Sequence, residues 1–404
     1  MDTQDPTRDA PPGPGNDAAL AAQGAEALRP RKKGRASQLE SSQLRPGWTT
    51  GACAAAAASA AWTALLSGEE SPDPIKIDLP HGRHVGFALT CSSRDEDGSV
   101  TVGVTKDAGD DPDVTHLALI RARLRPLASG SGIVFRAGQG VGTVTLPGLP
   151  LDIGQPAINP MPREYISSNL EQISTRFGRN STDVEVEISV DNGEKIAEKT
   201  WNPRIGILGG LSILGTTGVV VPYSCSAWIA SIHRGIDVAV ATGHHHAAAC
   251  TGSTSERVAE ELHPGIELLD MGDFAGAVLK YLRKKPIERL TIVGGVAKIS
   301  KLAAGYLDLH SHRTQIQPDH LANLVLEAGG CEELADSLRE VSTVAHAVTL
   351  SKENGIDLPQ LIATAAAQES MNVLEGAPVS VDVVVIDRAG TILATSPILH
   401  PHSP

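Results

Sequence analysis

Lys106-Asp107-Ala108-Gly109-Asp110-Asp111-Pro112-Asp113 puts four carboxylates and an ammonium into one short stretch of chain. Carboxylates that close together can balance a cation, position an amine or order a loop. Asp and Gly are equally what a plain solvated turn requires. A second stretch, Thr49-Thr50-Gly51-Ala52-Cys53, has the residue types of a helix start. Its hydroxyls can cap, Gly51 lets a ligand approach the backbone, and uncommitted N–H groups at a helix start favour an anion such as a carboxylate. The plainer alternative is an ordinary cap beside a buried thiol, with Cys53 a small packed residue rather than a nucleophile.

Glycine supplies the other candidates. Gly138-Gln139-Gly140-Val141-Gly142 lies close to Gly154-Gln155-Pro156-Ala157-Ile158-Asn159-Pro160, which sets the Asn159 amide between turn formers. Close approach to a flat ligand and a tight double turn are both open there. The densest glycine spacing holds Gly206, Gly209, Gly210, Gly215, Thr216, Thr217 and Gly218. It fits neither G-x-G-x-x-G nor a phosphate loop ending in G-K-[ST]. Gly294-Gly295 precedes Lys298 and Lys301, two cations at a predicted helix start. His244-His245-His246 invites a metal, but three consecutive imidazoles cannot all point one way, and His310 with His312 forms a separate pair. No protein-held metal is expected.

Helices and strands must position these groups. Residues 52–66 read as an Ala-rich helix ending at Gly68, and 74–79, 83–90, 99–105, 132–136 and 183–190 as strands. Val184, Val186, Ile188 and Val190 alternate with polar residues, so this sheet has one wet face and is antiparallel or mixed. After Trp201 the pattern changes. Strands are expected at 205–208, 237–241, 266–269 and 289–293, with helices at 223–234, 253–262, 274–284 and from 298. Such alternation describes a doubly wound parallel sheet whose first βα turn is the 206–218 stretch. Helices continue over 321–328, 334–350 and 358–374, and 379–386 with 391–394 forms a terminal β pair that could return to the first domain. The expected division is a disordered tail over 1–43, a mixed α/β domain over 44–200, an α/β domain over 201–375 and a β segment over 376–404.

The bulk properties narrow the class. The 404 residues carry a formal net charge of −13, which disfavours nucleic acid. Hydrophobic residues reach 41% but aromatic residues only 3%, so the cores are aliphatic. Five cysteines without a C-x-x-C pair fit a reducing compartment. The Ala-rich helix begins too far along the chain for a secretory signal, and no run approaches the roughly 20 strongly apolar residues of a membrane span. A cytoplasmic enzyme without nucleic-acid or membrane partners is expected, with homo-oligomerisation left open.

Taken in order, residues 44–61, 104–115, 138–148, 154–163, 205–222 and 293–311 resemble the cobalt-precorrin-5B C1-methyltransferase family, the CbiD family of anaerobic cobalamin biosynthesis. WTTGACAAAAASAAW at 48–62, KDAGDDPDVTH at 106–116 and GILGGLSILGTTGVV at 206–220 carry most of the likeness. The resemblance implies a ribosomal S5 domain 2-like first domain and a Rossmann-like second. It implies methyl transfer from S-adenosylmethionine to ring carbon C-1 of a cobalt-corrinoid, with cobalt arriving on the substrate. The glycine and threonine positions of 206–218 are then the expected donor site. Thr49, Thr50, Gly51, Asn159, Arg163, Lys298 and Lys301 are the expected receivers of the ring and its rim carboxylates. Asp107 or Asp110 could balance the sulfonium or only order a loop. Val221 departs from the family, which is expected to be acidic there; His244–His246 and 314–317 also look individual. Two rivals remain: an NAD(P)-dependent oxidoreductase using 206–218, and a non-catalytic corrinoid- or nucleotide-binding module.

Overall fold

A computed structural model describes residues 44–311 and 315–401. The expected tail over 1–43, with its basic run, and His312 lie outside the described residues. The chain divides into two units, one ending at Ser226 and the next beginning at Ala227.

The first unit opens with β1 (Gly47–Trp48) and α1 (Thr50–Ser67). The hairpin β2 (Ile75–Leu79) and β3 (Arg83–Phe87) follows. Then come β4 (Cys91–Arg94), β5 (Val100–Thr105), β6 (Leu119–Pro126) and β7 (Ile133–Ala137). With β10 (Val184–Val190) they form a sheet of order β4-β5-β6-β10-β7. β10 runs antiparallel to β6 and parallel to β7, so the sheet is mixed. Period-two alternation sorts its faces. Val102, Ile120, Ala122, Val186 and Ile188 are buried on one side. On the other side Arg121 pairs with Asp191, Arg123 with Asp95 and Asp97, and Arg125 with Glu185.

α1 lies on the buried face together with α2 (Pro160–Arg176). Ala54–Ala58 have no side chain beyond Cβ, so the helix sits close to the sheet, and Ala at each place also favours the helix intrinsically. Thr49 caps it through Ala52 N, and Gly68 ends it in the left-handed region at φ 74. Among the described residues α1 is the one helix long and apolar enough to cross a membrane, yet it is the core helix of this unit.

Short pairings complete the unit. β8 (Gly140–Val141) runs beside β12 (Gly210–Leu211), and β9 (Thr143–Val144) beside β11 (Ile207–Leu208). β13 (Val219–Val220) pairs with β1. Here the structure corrects the sequence reading. Residues 205–208 do not begin the parallel sheet, and 206–218 is not a βα turn; the stretch closes the first unit. A glycine-rich run after a short apolar segment has the same appearance in both settings, so the expected boundary at 200 falls before residues that belong with the first unit.

The second unit is built on β14 (His246–Cys250), β15 (Glu267–Asp270), β16 (Arg289–Gly295), β17 (Ser380–Ile386) and β18 (Ile392–Thr395), in the order β15-β14-β16-β17-β18. All pairings are parallel except β17 with β18. Alternate residues of β14 face opposite sides: Ala247 and Ala249 enter the larger core, Ala248 and Cys250 a smaller one with Val258 and Ala259. Both faces of the sheet are therefore covered. The helix Ser253–Leu262 follows β14, Ala275–Leu282 follows β15 and Val296–Ala303 follows β16.

Three further expectations are corrected in this unit. Residues 237–241 are not a strand but the last turns of the helix Cys225–Ala241, because Ile232, Gly235, Ile236 and Ala239 make one buried helical stripe. The expected helix over 334–350 is two, Glu332–Arg339 and Val344–Glu353, since Thr343 caps a new start by accepting from His346 N. The terminal β pair does not return to the first unit; β17 adds directly to β16.

Candidate functional site

In the first unit the three stretches that carry the family likeness meet. Trp48 N donates to Asp107 O, Thr49 N to Gly218 O and Gly51 N to Leu214 O. Thr50 Oγ1 accepts from Leu214 N at 2.9 Å and lies 3.3 Å from Ser212 O. Segments more than 160 residues apart in sequence are thus joined strand to helix start.

Between them is a cavity of about 170 Å³. Thr49, Thr50, Lys106, Asp113, Asn202 and Ser212 contribute its polar wall, and Val114, Leu211, Leu214 and Val220 its apolar wall. Lys106 is 1% exposed, and its Nζ donates to Asp113 Oδ2 at 2.7 Å. Asp113 Oδ1 accepts from Thr115 N and Thr115 Oγ1. Burial pushes the Asp113 carboxyl up. The Lys106 charge and these hydrogen bonds outweigh that and hold it below the usual carboxylate range. Residue 106 faces inward for a simple reason: Val100, Val102 and Val104 point to the core, and period two carries the next inward position to 106. That signal is present in the sequence, where Lys106 and Asp113 read only as members of the Asp-rich stretch and not as a buried pair.

The expected catalytic carboxylates have other partners. Asp107 holds the Arg45 guanidinium as a fork, with Nη2 to Oδ1 at 2.9 Å, and accepts from Gly109 N. The hydrogen bond from Arg45 keeps its carboxyl below the ordinary range. Asp110 is exposed and accepts from Arg45 N, while its own N–H donates to Arg45 O. Both residues bind the entry strand to the Asp-rich loop.

At the helix start, Thr49 and Thr50 line the cavity, but Gly51 does not. A Cβ there would fall 1.9 Å from Tyr165 Oη, so the glycine serves close packing. The first N–H groups are engaged inside the protein, Gly51 N by Leu214 O and Ala52 N by Thr49 Oγ1, which removes the expected backbone anion site. Cys53 is fully buried and burial pushes its thiol up to about 12, so it stays protonated.

The glycines of 206–218 mostly permit chain contact. Gly206 lies on Leu146, Gly210 on Gly140, Gly215 on Thr49 and Gly218 on Leu79. Gly209 faces open space, Thr216 is exposed and Thr217 Oγ1 bonds within its own turn. Asn159 precedes α2 and gives its N–H to Ile213 O. Arg163 Nε donates to Ile158 O and Nη2 to Pro156 O, with the guanidinium 5.5 Å from the Phe135 ring centre, so it braces the 155–158 turn.

Lys298 and Lys301 belong to the second unit. Lys298 Nζ donates to Thr251 O at 2.9 Å and sits 3.1 Å from Asp273 Oδ1; Lys301 Nζ donates to Leu309 O. The three histidines diverge: His244 to Thr242, His245 to Glu288, His246 to Thr291. In this sheet the strand order reverses between β14 and β16, the place where open parallel sheets take ligands. Two helices start there, after Gly252 and Gly295, and a Cβ on either glycine meets nothing within 4 Å. The sequence reading expects the first βα turn of the parallel sheet at 206–218 instead.

Together these features describe an α/β protein of two units, the first closing three sequence-distant loops over a buried lysine paired with a half-buried aspartate, the second a covered, mostly parallel sheet whose strand order reverses between β14 and β16. The CbiD family model matches residues 37–222 and the model for the CbiD C-terminal domain residues 308–397. A protein of Brucella anthropi named cobalt-precorrin-5B C(1)-methyltransferase is 53% identical over 88% of this chain and 96% of its own, and one of Brucella canis with the same name is 52% identical over the same shares. A crystal structure of the cobalamin biosynthesis protein CbiD from Archaeoglobus fulgidus matches 78% of this chain and 85% of its own at 26% identity, with a TM-score of 0.36. The chain belongs to the CbiD family.

Proposed function

We propose that the chain methylates ring carbon C-1 of cobalt-precorrin-5B, using S-adenosylmethionine, to give cobalt-precorrin-6A in cobalamin biosynthesis. The carrying observation is the match to relatives of that name across nearly their whole length. In the reaction a carbon–carbon bond forms as the S–CH₃ bond breaks, and the electron pair of that bond stays on sulfur. Alignment and water exclusion supply most of the acceleration, so no dedicated nucleophile is needed. A protonated, buried Cys53 is consistent with this. Cobalt is part of the substrate.

We read the first unit as S5 domain 2-like and as the holder of the corrinoid. The second, with its 2-1-3-4-5 strand order, we read as Rossmann-like and as the holder of S-adenosylmethionine, at Gly252 and Gly295. This moves the donor away from 206–218. The oxidoreductase rival loses its support with the βα turn it required. Anaerobic incubation with methyl-labelled S-adenosylmethionine and the cobalt-corrinoid tests the reading. Label should appear on the ring; folded protein that binds both ligands and transfers nothing would leave only the binding-module rival.

A further inference from the structure

The buried Lys106 ammonium is incompletely satisfied. It has three N–H donors. Asp113 Oδ2 takes one, and no other described residue accepts from it. A cation 1% exposed is costly to leave so, and Lys106 is one of the residues that line the cavity. Asp113 Oδ1 already accepts from Thr115 N and Thr115 Oγ1 and Oδ2 from Lys106, which leaves one acceptor site, on Oδ2. The cavity therefore offers two charge-assisted donors against one remaining carboxylate acceptor site.

Its shape adds a second constraint. About 170 Å³ is too small for a macrocycle and sufficient for one flexible arm. Leu211, Leu214 and Val220 line the cavity together with Lys106 and the polar residues. Apolar walls beside an ammonium suit a methylene chain ending in a carboxylate. An amino-acid carboxylate fits less well, since it brings an α-ammonium with three donors beside the Lys106 cation, against one open acceptor site on Asp113 Oδ2.

We propose that Lys106, held in place by Asp113, binds one peripheral alkyl-carboxylate arm of the tetrapyrrole substrate in this cavity. The inference rests on the corrinoid reading above and extends it to a specific subsite. Lys106 is here a binding residue, and Asp113 positions it.

The test titrates the protein optically with a cobalt corrin bearing free peripheral carboxylates and with its methyl ester. Wild type should bind the acid at least tenfold more tightly than the ester. In Lys106→Met/Asp113→Asn, which removes both charges together, that preference should shrink by about tenfold, while affinity for S-adenosylhomocysteine stays within twofold. Lys106→Arg should keep part of the preference. Equal binding of acid and ester by wild type overturns the proposal without any variant. So does an unchanged preference in the folded double variant, the outcome expected if only water fills the cavity. A double variant that loses S-adenosylhomocysteine affinity and keeps the ring preference assigns the carboxylate to the donor and overturns the ring assignment. Failure of methyl transfer by wild type, with the acid preference intact, would count against the proposed reaction and not against this subsite.

Discussion

Gly215 lies so close to Thr49 that a Cβ on residue 215 would sit 2.3 Å from Thr49 Oγ1. The contact joins the glycine-rich stretch to the cap of α1, and Gly215 holds it at φ 126, where a side chain is also strained. Gly215→Ala should therefore destabilise the first unit by about 1–3 kcal/mol. It should also open the cavity wall and lower methyl transfer more than it lowers stability. Denaturant unfolding beside initial rates checks this, and a stability loss under 0.5 kcal/mol would mean that the contact relaxes freely.

Asp107 and Asp110 bind Arg45, which argues for loop ordering rather than chemistry. Asp107→Asn keeps the shape and removes the charge. The pair is partly exposed, so the expected cost is under about 1 kcal/mol, with turnover within a few-fold of wild type. A 100-fold fall in kcat with unchanged stability would return Asp107 to a catalytic role.

Calorimetry with S-adenosylhomocysteine separates the two donor sites. Gly209 and Gly295 both face open space, so a large side chain at either displaces no neighbour, although at Gly209, with φ 84, it costs about 1–2 kcal/mol of backbone strain. Gly295→Trp should abolish binding and Gly209→Trp should leave it within a few-fold. The reverse pattern would restore the donor to 206–218.

His246 sets an acid limit on the second unit. Burial first, then the charges of Arg289 and His263, lowers its imidazole to about 4. The unfolded chain, with its histidine near 6.5, binds this proton first as pH falls. Stability should thus be full above about 6.5 and decline towards 4, by on the order of 1–2 kcal/mol after allowance for partial exposure. His246→Asn should flatten that slope in pH-dependent thermal melts; an equal slope in the variant would place the titration elsewhere.

Period-two and helical patterns made many elements of both units legible, but not the central strand β6 or the helix α2. The buried faces of β5 and β10 and the bounds 253–262 and 358–374 follow from residue type alone. Long-range partnership did not. Nothing local distinguishes a glycine that turns a strand into a helix from Gly210, which lets β12 lie on Gly140. The same limit applies to the site. Asp107 and Asp113 look alike in the sequence, and only folding shows that one meets an entry-strand arginine and the other a buried lysine. Lys106 is the exception, readable from the register of its strand.

The pairing of Gly47 with Val220 has a consequence for biosynthesis. α1 leaves the ribosome early, before most of the sheet that covers it and before the strand that latches its start. At ~5–20 residues per second, synthesis of the intervening chain takes on the order of ten seconds or more. Until β5, β6 and α2 have emerged within that interval, an Ala-rich, uncharged helix lacks its native cover, and until β13 emerges its start is unlatched, which gives nascent-chain chaperones a substrate. Slow translation between β1 and β13 should lengthen this exposure, which makes soluble yield in a foreign host a matter of elongation rate as well as of final stability.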